Sequence, residues 1–123
     1  MDTSTEHDPL IVVLDPEIAE NIDGLGTAVA ARVWKATLAE LPVLAQRISF
    51  SLQEGELRDV AAAAHTGKGS TGTIGLLRLS DELSRLIEMA RAGDLEAARR
   101  HWVKTELLVA LSVTTVAKHL WKI

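Results

Sequence analysis

The feature that most constrains the fold is the recurrence of apolar residues at alternating steps of three and four, a spacing that places them on one stripe of an α-helix. Ala31, Trp34, Leu38, Leu41, Ala45, Ile48 and Leu52 form the first such seam. Leu57, Val60, Ala64, Gly67, Thr71 and Ile74 form a second, and Leu76, Leu79, Leu83, Leu86 and Ala90 a third. Gly55 stops the first helix and Ala92-Gly93 the third, and Asp94 caps a last helix running from Leu95 towards the C-terminus. Connections this short force neighbouring helices to be antiparallel, so the expected class is all-α, an up-and-down four-helix bundle. Asp15-Pro16-Glu17 is a strong helix start, but Asp23-Gly24 and Gly26 end that helix within two turns. It is expected to lie across the bundle. Pro42 interrupts the first seam without changing its register, which predicts a bend near Leu38 to Leu41 rather than a break.

Residues 1–9 are polar and without period, the pattern of a flexible tail, while 10–123 read as a single domain. The run Leu10 to Leu14 has no second strand to pair with, so it is expected to pack as an arm against helices. The last helix is apolar around much of its circumference, from Leu107 to Leu111 and then Val113, Val116, Leu120 and Trp121. That predicts burial on more than one side, by the arm or by a second copy. A monomer is the expectation in preference to a dimer.

Composition removes several classes of function. The 123 residues contain no cysteine, which excludes disulfides, thiol nucleophiles and cysteine-ligated zinc and favours a cytoplasmic setting. A net charge of −4, with three Trp and one Phe, offers nucleic acid neither positive charge nor stacking surface. No run is long enough to span a membrane, and the first residues are not those of a secretory signal. The initiating Met and polar tail suit a separate protein or a natural start. His7, His101 and His119 lack partners at metal-ligand spacing and read as solvated or partly packed. Glu96, Arg99, Arg100, Lys104 and Glu106 read as the wet face of the last helix, with some i, i+4 pairing; Glu56, Arg58 and Asp59 suit a partner-facing rim and a solvated face equally well.

The informative stretch runs from Ala61 to Gly75. It carries glycines at 67, 69, 72 and 75 in a segment patterned as helix, at about 0.8 to 1 kcal/mol each relative to alanine. Something must require them. On a helix His65, Lys68, Gly69 and Gly72 share one stripe, so an imidazole stands one turn from an ammonium on a surface stripped of side chains. A neutral imidazole is a nucleophile, a nearby cation suits a transferring phosphoryl group, and a bare surface admits another protein's active site. Competing readings fail on context. Gly67, Gly69 and Gly72 satisfy G-x-G-x-x-G, but helix precedes them where a dinucleotide site needs a strand. A phosphate-binding loop fails because Ala62 stands where its first glycine should be and Gly69 follows Lys68. A lone surface histidine on a glycine-tolerant helix is the plainest alternative.

The segment His65-Thr66-Gly67-Lys68-Gly69-Ser70-Thr71-Gly72-Thr73-Ile74-Gly75 resembles the signature of histidine-containing phosphotransfer (HPt) domains: His, any residue, Leu or Ile, Lys, Gly, two small residues, and a further Gly ten positions after the His. Leu79 and Leu83 follow at the spacing of the family's next helix, and Arg91-Ala92-Gly93-Asp94 looks like the turn joining its last two. The resemblance implies a phosphorelay intermediate without kinase activity. His65 would be phosphorylated, Lys68 would assist electrostatically, and Gly69 would keep the surface open. Ala61, Ala62, Ser70 and Gly72 would complete the partner-binding face. The implied partners are receiver domains of response regulators or of a hybrid sensor histidine kinase; these bring the aspartyl phosphate and Mg²⁺, so this chain needs no cofactor or metal of its own. The runner-up is a non-phosphorylated docking module with the same bundle. Gly67 departs from the pattern, since it replaces a bulky aliphatic residue at a core position. Either a neighbour approaches closely there or a small cavity is left.

Overall fold

A computed structural model describes residues 12–123, which form five helices around one contiguous apolar core. α1 spans Pro16–Asp23, α2 Thr27–Gln53, α3 Leu57–Thr73, α4 Leu77–Arg91 and α5 Leu95–Lys122. The tail, Leu10 and Ile11 fall outside the described residues.

The last four helices pack as an antiparallel bundle in which α3 contacts α2 and α4, α5 contacts the same two, and α3 and α5 are diagonal. The seams are where the spacing puts them. Trp34, Leu41, Ile48 and Leu52 of α2, Val60, Ala64, Gly67 and Thr71 of α3, and Leu79, Leu83, Leu86 and Ala90 of α4 are buried. Ala31, Leu38 and Ala45 are half-buried at the margins. α2 runs unbroken through Pro42.

Polar groups fix the ends and the register. The Asp15 carboxylate accepts from the Ile18 N–H at 3.0 Å, and Asp94 does the same for Ala97 at the head of α5. α3 ends at Thr73, one residue short of the seam's last member, so three of the four glycines are helical and the fourth, Gly75, makes the turn to α4. Gly75 has φ +92°, which an L side chain rarely adopts, and a Cβ there would meet Ile18 of α1 at 3.1 Å. Its carbonyl accepts from the Asp15 N–H at 2.8 Å. The described part of the arm is thereby tied to the α3–α4 turn, with Val13 buried and Leu14 against Gly75.

α1 rests on the parts of α2 and α5 that project beyond that turn. Asp23, its last residue, accepts from Trp34 Nε1 of α2 at 2.9 Å through one oxygen and meets His119 Nε2 of α5 at 2.7 Å through the other. The His119 and Trp34 rings stand edge to face with centroids 4.9 Å apart.

Among the described residues the outer face of α5 is open: Val103, Leu107, Leu111 and Trp121 are exposed. The inward seam accepts polar residues. Thr105 and Ser112 are buried with their hydroxyls donating to the carbonyls of His101 and Leu108. His101 is not solvated but buried in that same seam, its Nε2 3.0 Å from the Glu82 carbonyl of α4.

Candidate functional site

The middle of α3 carries the site. Four alanines at 61 to 64 supply the strongest helix-forming residues just before the glycines begin, and Ala63 and Ala64 turn inward. His65 is the next residue outward and is exposed, as are Lys68 and Gly69 on the same stripe. Ala62 and Ser70 flank it in the open, while Ala61 and Gly72 are half-buried at its edges.

The glycines differ in what requires them. A Cβ on Gly67 would come within 2.6 and 2.8 Å of the two methyls of Leu44 on α2 and 3.2 Å from Leu83 on α4, so the missing aliphatic group is replaced by a neighbour's side chain rather than by a void. At Gly72 a Cβ would meet the Ser80 hydroxyl at 3.2 Å. That hydroxyl donates to the Lys68 carbonyl at 3.0 Å, pinning α4 to α3 directly beneath the cationic residue. Around Gly69 there is nothing within 4 Å, and its backbone is ordinary helix. No internal contact requires Gly69 to be glycine.

Hydroxyls in this stretch are turned back onto their own helix. Thr66 donates to Ala62 O at 3.2 Å, Ser70 to Gly67 O at 3.2 Å, Thr71 to Gly67 O at 2.7 Å and Thr73 to Gly69 O at 2.9 Å. The surface beside His65 therefore shows methyl and methylene groups and few free donors. It continues into an open groove of about 790 Å³ between α3 and α2, whose α2 wall includes Val33, Ala36, Val43 and Leu44, with Glu40 and Arg47 among its lining. Val43 is 63% exposed there. Sequence reasoning found the α3 stripe and missed this wall; the signal was available as Val33, Ala36, Val43 and Leu44, apolar residues that share one face of α2.

The other candidates lie elsewhere. His101 and His119 serve helix packing as described, and His7 falls outside the described residues. Of the wet-face residues on α5, Arg100 pairs with Glu96 at 3.7 Å; Arg99 instead donates to the Leu52 carbonyl at 2.8 Å, and Glu106 accepts from Ser49 at 3.0 Å. Among the described residues no group of three or more His, Asp or Glu side chains could hold a metal ion, and no helix is long and apolar enough to cross a membrane.

This arrangement matches known proteins at two levels. The chain superposes on the crystal structure of histidine-containing phosphotransfer protein B (HptB) from Pseudomonas aeruginosa PAO1 with a TM-score of 0.86, covering 92% of this chain and 98% of that one at 18% sequence identity, a likeness of fold. No curated protein sequence matches this one. The profile of the Hpt domain matches residues 17–113, from the first turn of α1 to the middle of α5 and across the whole His65 stripe, so the chain belongs to the Hpt domain family.

Proposed function

We propose that His65 is the phosphoryl-carrying residue of a phosphorelay. A nitrogen of its neutral imidazole attacks the phosphorus of an aspartyl phosphate on a receiver domain, the phosphorus–oxygen bond to the carboxylate breaks, and the freed aspartate leaves as phosphohistidine forms. A second receiver aspartate reverses the step and discharges the ring. Lys68, one turn on, offsets charge on the phosphoryl oxygens during each transfer. The receivers, of response regulators or of a hybrid sensor kinase, supply Mg²⁺. The carrier works in the cytoplasm, without ATP and without a metal or cofactor of its own, as a 10–123 domain and as a monomer.

The observation that carries this reading is Gly69. An exposed, helical glycine with open space around its missing Cβ weakens α3 by about 1 kcal/mol and gives the fold nothing in return. Its use is external, since it clears the approach to the imidazole four residues before it. Ala62 and Ser70 extend the bare surface, Ala61 and Gly72 border it, and the α2–α3 groove gives the receiver's apolar side chains a seat beside the reacting atoms.

The test is incubation with a phosphorylated receiver domain and Mg²⁺, reading acid-labile, base-stable label on the chain. A carrier takes up label as wild type and none as His65→Gln, with the same helical circular dichroism. Lys68→Ala takes up label more slowly and stays folded. No label on the wild type overturns the reading and leaves a docking module.

A further inference from the structure

The outer face of α5 exposes large apolar groups that phosphotransfer at α3 does not explain. Val103, Leu107, Ala110, Thr114, Ala117 and Trp121 are all exposed and follow one another at steps of four, three, four, three and four, the spacing of a seam made to meet another helix. Val103 is 63% exposed, Leu107 69% and Trp121 90%. Large groups stand at the two ends and small ones between them, so the stripe is a shallow saddle.

Charge along its edges says what fits. On one edge the charges are engaged within the bundle: Arg99 donates to Leu52 O, and Glu106 accepts from Ser49. The opposite edge carries Lys104, Lys118 and Lys122, with no ion pair to any of them among the described residues. Glu20 of α1 lines the same crevice as Lys118 and Lys122 without pairing with either. A second copy is a poor occupant, because antiparallel α5 helices set Lys104 against Lys118 of the other chain, and parallel ones bring the lysine edge against an edge whose one acid is already engaged. A bilayer rewards bulk apolar area, which the small central residues do not provide. A helix rewards a flat, close approach.

We propose that the outer face of α5 is a second docking surface, taking an amphipathic helix of a partner protein whose apolar stripe seats on Val103, Leu107 and Trp121 and whose acidic edge faces Lys104, Lys118 and Lys122. α5 is diagonal to α3 in the bundle, so this partner and a receiver at His65 bind at the same time. The carrier is then held on one side while it reacts on the other.

Two synthetic amphipathic helices of three heptads, identical apart from Glu or Lys along one edge, test this on the full chain. Trp34 and Trp102 are buried, so acrylamide quenching reports chiefly on Trp121. The Glu-edged helix is expected to shield Trp121 and the Lys-edged helix to leave it accessible. Leu107→Asp weakens the Glu-edged helix at least tenfold with an unchanged circular dichroism melt, and Lys104→Glu with Lys118→Glu reverses the preference. Phosphoryl uptake by His65 continues with the peptide bound, a readout that separates this surface from the His65 site. Equal binding of both helices, or no binding of either, overturns the proposal. So does shielding by phosphatidylserine vesicles in place of the peptide, or a Trp121 already shielded in the free protein, whether by residues 1–11 or by a dimer seen in sedimentation.

Discussion

Gly67 and Gly69 are two residues apart in the same helix, and the same substitution acts on them in different ways. Alanine at 69 enters open space, so the gain in helix propensity, about 1 kcal/mol, should appear nearly whole as a rise of a few degrees in the thermal midpoint. Alanine at 67 gains the same propensity but pushes both Leu44 methyls aside, and its midpoint should fall short of that of Gly69→Ala. The ordering can be read from two calorimetric melts. A larger residue makes the division sharper: Gly69→Leu should keep or improve stability while slowing phosphoryl uptake from a receiver at least tenfold. A stability cost there would mean that the space around Gly69 belongs to the bundle after all. The sequence set Gly67 apart from Gly69 but did not show which neighbours Gly67 and Gly72 admit, because Leu44 lies on α2 and Ser80 on α4 and neither leaves a trace in the spacing along α3.

At the scale of elements, apolar period located α2 to α5 almost to the residue, and cap chemistry located α1 and the head of α5. The ties between them were not legible. Trp34, Asp23 and His119 meet across 96 positions of sequence, and polar contacts at that separation have no periodic signature. The burial of His101 was within reach, since Ala98, His101, Thr105, Leu108, Ser112 and Val116 keep the three-and-four step once polar residues are admitted to the seam. Asp23 ties α1 to both α2 and α5. Asp23→Ala leaves the indole N–H of the fully buried Trp34 without an acceptor and should cost about 1 to 3 kcal/mol in chemical denaturation. His119→Ala removes one partner at a half-exposed position and should cost less. If the double variant loses as much as the two single ones combined, the three side chains do not act as a unit. Ser80→Ala should lower stability by about 0.5 to 1.5 kcal/mol, by removing the hydroxyl that links α4 to the Lys68 carbonyl.

For the whole molecule, the order of helices in space is largely their order in sequence, with α3 against α4 and each long helix beside its chain neighbour. A bundle built this way pays little loop-closure entropy, so the dominant refolding phase should finish within milliseconds in stopped-flow fluorescence; a dominant phase of seconds would contradict it, whereas a minor slow phase is the expected prolyl isomerisation. The bundle was readable because short connections leave few ways to arrange long amphipathic helices. The open outer face of α5 was not, since an exposed apolar stripe and a buried one look alike in sequence. The lengths carry one more consequence. α2 and α5, of 27 and 28 residues, are about 40 Å long, while α3 and α4, of 17 and 15, reach only about 25 Å. α1 occupies the step this difference leaves, with Ile18 pressed against the Gly75 turn. A hairpin lengthened by a single helical turn, about 5.4 Å, would drive its tip into α1, and one shortened by as much would open a gap under it. Chimaeras that import α3 and α4 from another carrier should therefore fold only when the donor hairpin has the same height.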